Sequence, residues 1–335
     1  MICLFGCWLL LVVIGAAPAI AGDHIGAIEF FGYYGIDVPK MRRAIPVHEG
    51  DEYTDRTKNQ VRQAVAAAIG KGPTDVAAIC CDEKGNRLLF VGLAGTSKKS
   101  FAYNPKPKGN ERLPSDIMVV YGRLDDALEA AVRRGGDAAE EDDSSGYALV
   151  KDPATRSLQL AVRQLALKYE RELMRTLEFS SAAAHRRVAS DAIGYTRRSR
   201  EQILALVRAA RDPDDEVRNN ATRALGVLVR SKAALAAEIP PDTFIEMLNS
   251  GKWTDRNKAT SLLLELTAER DAILLRKIRS AAQDSLTEMA SWRRPSHAFF
   301  ARMVLGRVVG IPEARLKDLA WNGPVDEIVE ASGRR

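Results

Sequence analysis

The segment VRNNATRALGVL, residues 217–228, is echoed by HRRVASDAIGYT at 185–196 and by DRNKATSLLLEL at 255–266. Aligned on Ala189, Ala221 and Ala259, the three copies place Arg186, Arg218 and Arg256 three positions earlier. Apolar residues follow three and four positions later, at Ala192 and Ile193, Ala224 and Leu225, and Leu262 and Leu263. That spacing marks one face of a helix. A poorer fourth copy fits at Ala301, with Val304 and Leu305, and Ala298 stands where the arginine would be. The alanine spacings of 32, 38 and 42 residues are those of a helical repeat. Another amphipathic stretch precedes each of the last three copies: REQILALVRAA, DTFIEMLN and LLRKIRSAAQDSLTEMA. The unit is therefore a helix pair. One pair has an apolar stripe that it cannot bury alone, so the stripe recurs where neighbours stack.

Small residues at these positions let helices approach closely. Gly194, Gly226 and Gly306 are expected inside helices, where each costs up to about 1 kcal/mol in propensity, so close contact is their expected role. The repeated arginines are expected to pair with carboxylates or carbonyls between units. The stretch RDPDDEVRNNATRALGVL (211–228), with its Asp212-Pro213 turn and the Val217-Arg218 opening of a helix, resembles a HEAT-like repeat. The resemblance covers about 180–310 and implies an all-α, right-handed solenoid within a helical region at 154–335.

The N-terminal half reads differently. IGAIEFFGYYG alternates as a strand does, VPKMRRAI and RTKNQVRQAVAAAIG read as helices, and TDVAAICCD and NRLLFVGLAG form a hairpin about the turn EKGN. The fold expected is an α+β module of order β-α-α-β-β. Its opening IGAIEFFG, the HEGDEYT before the second helix and the closing LLFVGL resemble a POTRA domain over about 25–95. That resemblance implies a module that binds other chains, often through a sheet edge. No series of alternating ten-residue segments follows, so an outer-membrane barrel is not expected.

Residues 22–96 are thus read as the module and 97–153 as a linker. The linker opens with the Lys-, Pro- and Gly-rich SKKSFAYNPKPKGNERLP, continues with one helix at SDIMVVYGRLDDALEAAVRRGG, and ends in an acidic loop. That loop, DAAEEDD at 137–143, lacks the alternating ligand spacing of a calcium site and is expected to be solvated. Residues 1–150 carry 17 basic and 20 acidic side chains, residues 151–335 carry 32 and 24. A mildly basic helical half suits solvated helix faces and also admits anionic partners.

The first 21 residues read as a signal peptide, with an uncharged apolar run and an Ala19-x-Ala21 site cleaved after Ala21. No basic residue precedes the run, and a retained anchor is the alternative. Export to the periplasm or extracellular space follows from the cleaved reading, and peripheral membrane association is compatible with it. Cys80 and Cys81 remain in the mature chain and are expected to be unbridged, one buried and one half-exposed, because a bond between neighbours closes a strained ring. His24, His48, His185 and His297 are scattered, and no nucleophile elbow, P-loop or dinucleotide fingerprint appears. No catalytic, metal or cofactor residue is assigned. The expected function is that of a non-enzymatic exported scaffold or adaptor holding a protein partner. The alternatives are an enzyme, by analogy with lyases that carry HEAT-like repeats and with Cys80, Cys81 and the acidic loop as raw material, and nucleic-acid binding by the basic helices, which export disfavours.

Overall fold

The computed structural model describes residues 22–80, 82, 84–135, 138 and 140–333. The expected signal peptide and Cys81 lie outside the described residues. The chain forms two compact units. One lies within Ala102–Thr243, and the other takes in the described residues between 22 and 101 and between 244 and 333. A small α+β module and a large helical region are both present.

In the second unit the element order is β1 (Gly22–Phe31), α1 (Val38–Ala44), α2 (Thr57–Ile69), β2 (Asp75–Ile79) and β3 (Asn86–Gly92). Asp37 caps α1 by accepting from the Lys40 amide at 2.9 Å, and Gly70, in the left-handed region at φ 70°, ends α2. The sheet order is β1-β3-β2, with β1 parallel and β2 antiparallel to β3. Ile28, Phe30, Leu89 and Val91 pack against Met41, Val61 and Val65 of α1 and α2.

The opposite face is buried as well. Phe90 lies with its ring centroid 4.7 Å from Trp292 and 5.1 Å from Trp253. Those residues belong to the helical part of the same unit. The unbroken apolar run Leu88–Val91, all of it buried, is what a strand covered on both faces requires.

The edge of β1 is sealed. The carbonyls of Gly26, Ile28 and Phe30 accept hydrogen bonds from Arg294, Arg293 and the Trp292 indole at 2.9, 3.1 and 3.0 Å. Three consecutive residues thus satisfy alternate carbonyls along one strand. β2 has β3 as its single neighbour in the sheet.

The first unit contains α3 (Ser115–Arg134), a two-stranded hairpin of β4 (Glu141–Asp142) and β5 (Leu149–Val150), α4 (Pro153–Lys168), α5 (Glu170–Phe179), α6 (Ala183–Ala192), α7 (Arg200–Ala209) and α8 (Asp215–Ser231). α5 packs on α6 and α7 on α8, while α5 also meets α7 and α6 meets α8. This is one helix pair laid on the next. The segment 102–113 is extended and docked: Asn104 donates to the carbonyls of Arg208 and Arg211 at the end of α7, and the Gly109 amide donates to the Phe179 carbonyl at the end of α5. It covers the unpaired carbonyls that helix ends leave behind.

Next come α9 (Asp242–Met247), α10 (Trp253–Leu266), α11 (Ala272–Ala290), α12 (Pro295–Val308), α13 (Glu313–Asn322) and α14 (Val325–Ala331). In the second unit α12 packs on α10, α11, α13 and α14. Among the described residues no helix is long and apolar enough to cross a membrane.

Two expectations need correction. Gly194 is not inside a helix but in the 3-10 turn Ile193–Tyr195 that follows α6, where a Cβ would stand 3.1 Å from the Ala224 Cβ. Cys80 is not an unbridged thiol: it is disulfide-bonded and exposed. It lies just past the end of an edge strand, outside the core that a small apolar thiol would otherwise fill.

Candidate functional site

Arg186, Arg218 and Arg256 lie in the first turns of α6, α8 and α10, each at most 3% exposed. Each donates to the carbonyl six residues before it, that of Ser180, Asp212 or Ser250, at 2.8, 2.7 and 2.7 Å. Those carbonyls sit in the turns that join the two helices of a pair, so each arginine pins its own turn. Arg186 also grips the Asp212 carboxylate with two bonds of 2.8 and 2.9 Å, and Arg256 donates to Glu288 at 2.9 Å. Arg218 lies 4.3 Å from the Tyr103 ring centroid. Ala189, Ala221, Ala259 and Ala301 are buried beside them.

The fourth copy carries its arginine at a shifted position that the alignment missed. Arg302, one residue after Ala301 and 2% exposed, donates to the carbonyls of Ala290, Trp292 and Ala320 at 2.9, 2.8 and 3.2 Å. These lie at the C-terminal ends of α11 and α13, where unpaired carbonyls gather partial negative charge. Burial lowers the Arg302 pKa.

Four carboxylates of the acidic loop, Glu140 to Asp143, are half-buried and ion-paired rather than simply solvated. Glu141 pairs with Arg223, Asp143 with Arg230 at 2.5 Å, Asp142 with Arg156 at 3.2 Å, and Glu140 with Lys151 at 2.6 Å. Glu141 and Asp143 neutralise Arg223 and Arg230 on α8, a partnership spanning some eighty residues of chain that local pattern could not reveal. Among the described residues no group of three or more potential ligands could hold a metal ion.

Asp191, near the end of α6, lies 3.2 Å from Arg223. Burial pushes its pKa up to about 6; the Tyr121 hydroxyl bond opposes this and the Asp125 charge adds to it. A raised folded-state pKa means that the fold favours the protonated acid. Its contribution to stability is full below the ordinary value of 3.8 and is lost as pH rises through about 6. The loss amounts to about 3 kcal/mol. Asp191→Asn is expected to abolish that part of the pH dependence, while also giving up the Asp191–Arg223 ion pair. Urea unfolding at pH 4 and 7.5 checks this, and parallel pH slopes for the two proteins would refute it.

In the second unit, two polar clefts flank Glu288. Its carboxylate accepts from the Gly32 and Tyr33 amides at 2.7 and 3.1 Å and from Arg256, and is buried. One cleft, of about 240 Å³, is lined by Glu29, Arg42, Tyr33 and Arg293. Burial raises the Glu29 pKa against the pull of Arg293, which donates to it through its backbone amide and Nε at 3.0 and 3.2 Å. Desolvation would raise Glu49 too, but hydrogen bonds from Arg293 and the Ile28 amide hold it below its ordinary value.

The other cleft, of about 200 Å³, opens where parallel strands β1 and β3 end, between the loop 93–100 and α10 and α11. Neither Glu288 nor Arg293 belongs to a repeated position, so the repeat pattern could not single them out. His185 has a structural role: its Nδ1 accepts from the Leu113 amide at 3.0 Å, and burial lowers its pKa. No protein-family model matches the chain, and no curated protein matches it.

Proposed function

We propose that this protein is a non-enzymatic scaffold or adaptor of the cell envelope that holds a protein partner on a HEAT-like stack of helix pairs joined to a POTRA-like module. The observation that carries the reading is the stacking of α5/α6 on α7/α8, with Ala189 and Ala221 buried in corresponding helices and a pinning arginine in each. Repeated pairs of this kind present an extended surface suited to another chain. The contact surface is the groove between α5 and α7, where Arg171, Arg175, Arg197 and Arg198 line an open cavity of about 730 Å³. Met174 and Glu178 are shared with an adjoining cavity of about 300 Å³. Glu170, Glu178 and Glu201 line the larger cavity beside the arginines, and Met174 adds apolar surface; arginine and methionine are enriched in protein contacts. The disulfide at Cys80 agrees with an oxidising compartment.

The test is capture of partners from envelope fractions by the immobilised full chain. Wild type is expected to retain a defined partner, and Arg171→Glu combined with Arg175→Glu to lose it at unchanged thermal stability. A wild-type bait that retains nothing above background, or a double variant that retains the same partner, would overturn the proposal.

A further inference from the structure

The cleft at the ends of β1 and β3 carries a cation with spare hydrogen-bonding capacity. The Arg256 side chain is 4% exposed, its Nη1 is taken by Glu288 and its Nε by the Ser250 carbonyl. Its guanidinium carbon lies 5.0 Å from the Phe31 ring centroid. Nη2 has no hydrogen-bond partner among the described residues, and Arg256 lines the cleft. Nη2 is not a sealed, unpartnered atom: it keeps contact with solvent and so is free to donate to a ligand.

Other donors share the wall. Lys99, Thr74 and Ser100 line the same cleft, and the Lys99 ammonium and the Thr74 and Ser100 hydroxyls have no partner among the described residues. Two acids are also present. Glu288 is neutralised by Arg256 and committed to two backbone amides, and Asp284 is engaged in a contact of its own. The spare groups are therefore donors; the Arg256 charge is shared with Glu288, and Lys99 brings the second cation. The loop that supplies Lys99 and Ser100 follows the carboxyl end of β3, and such strand ends are a recurrent place for ligands in sheets with parallel strands. At about 200 Å³ the space is below the usual 300–1,000 Å³ of pockets for drug-sized ligands, so the ligand is small.

We propose that this cleft binds a small oxyanion of the phosphate class, held by Arg256 Nη2 and the Lys99 ammonium with hydroxyl donors from Thr74 and Ser100. Charge-assisted bonds from arginine and lysine are the strong contacts available to such a group. The inference is independent of the adaptor reading.

The experiment is thermal unfolding of the full chain with inorganic phosphate or a simple phosphomonoester, each titrated against chloride at constant ionic strength. Saturable stabilisation is expected, since a ligand that binds the folded state raises the midpoint. Saturation by phosphate alone identifies the free ion, and saturation by the monoester at tenfold lower concentration identifies an ester group; either supports the site. Lys99→Met is expected to weaken apparent affinity about tenfold or more, while Lys40→Met, on exposed α1, leaves it unchanged. No stabilisation beyond chloride, an unaltered response in Lys99→Met, or an equal loss in Lys40→Met would each overturn the proposal.

Discussion

Arg302→Met will lower the stability of the second unit by about 3 kcal/mol or more, the range expected when a buried cation is removed from several hydrogen bonds. Methionine fills much of the same volume, so the loss is electrostatic rather than a cavity. What remains is three carbonyls, of Ala290, Trp292 and Ala320, whose donor is gone. They lie at the ends of two helices, so a single side chain serves as the C-terminal cap of both. Lysine should restore only part of the loss, because one ammonium cannot reproduce the planar fork that reaches three separate acceptors. Urea unfolding followed by tryptophan fluorescence reads the effect through Trp253 and Trp292, both buried in this unit. A transition at the wild-type midpoint for Arg302→Met would refute the capping role.

Glu288→Gln is the second large loss, about 3–5 kcal/mol. The amide keeps one acceptor for the Gly32 and Tyr33 amides but removes the charge that compensates Arg256. An unpaired guanidinium then stays buried, which is the expensive half of breaking an internal ion pair. Burial alone already lowers the Arg256 pKa, and the Glu288 charge and hydrogen bond oppose that. The sign of a double-mutant cycle is diagnostic. Arg256→Met added to Glu288→Gln should return about 1–3 kcal/mol, because no uncompensated charge is left. Additive losses in the two single variants would show that the pair is not coupled.

Much of the local architecture was legible. The β-α-α-β-β order followed from alternation, helical spacing and the turn EKGN, all of which act within a few residues. The buried alanines were legible because each repeat must solve the same packing problem, so the solution is written more than once. What escaped were partnerships across long stretches of chain. Arg302 is displaced from its expected position, and alignment by spacing cannot follow a side chain that reaches its carbonyls from another turn. The acidic stretch looked like a solvated loop because two of its partners, Arg223 and Arg230, lie on the distant α8. The second buried face of the sheet had a local sign, the uninterrupted Leu88–Val91. That sign says a strand is covered, not by what, and the covering aromatics Trp253 and Trp292 lie more than 150 residues on.

The seal on β1 also sets an order of events during synthesis. Gly26, Ile28 and Phe30 are made early, yet the side chains that satisfy their carbonyls are 262 to 268 residues further along. At roughly 5–20 residues per second, the first strand waits for something like a quarter of a minute to a minute. Throughout that interval its flank is an open template for stray pairing. The nascent molecule is therefore most in need of a chaperone until translation has passed Arg294, and a truncation just short of that point removes the guard while leaving the strand.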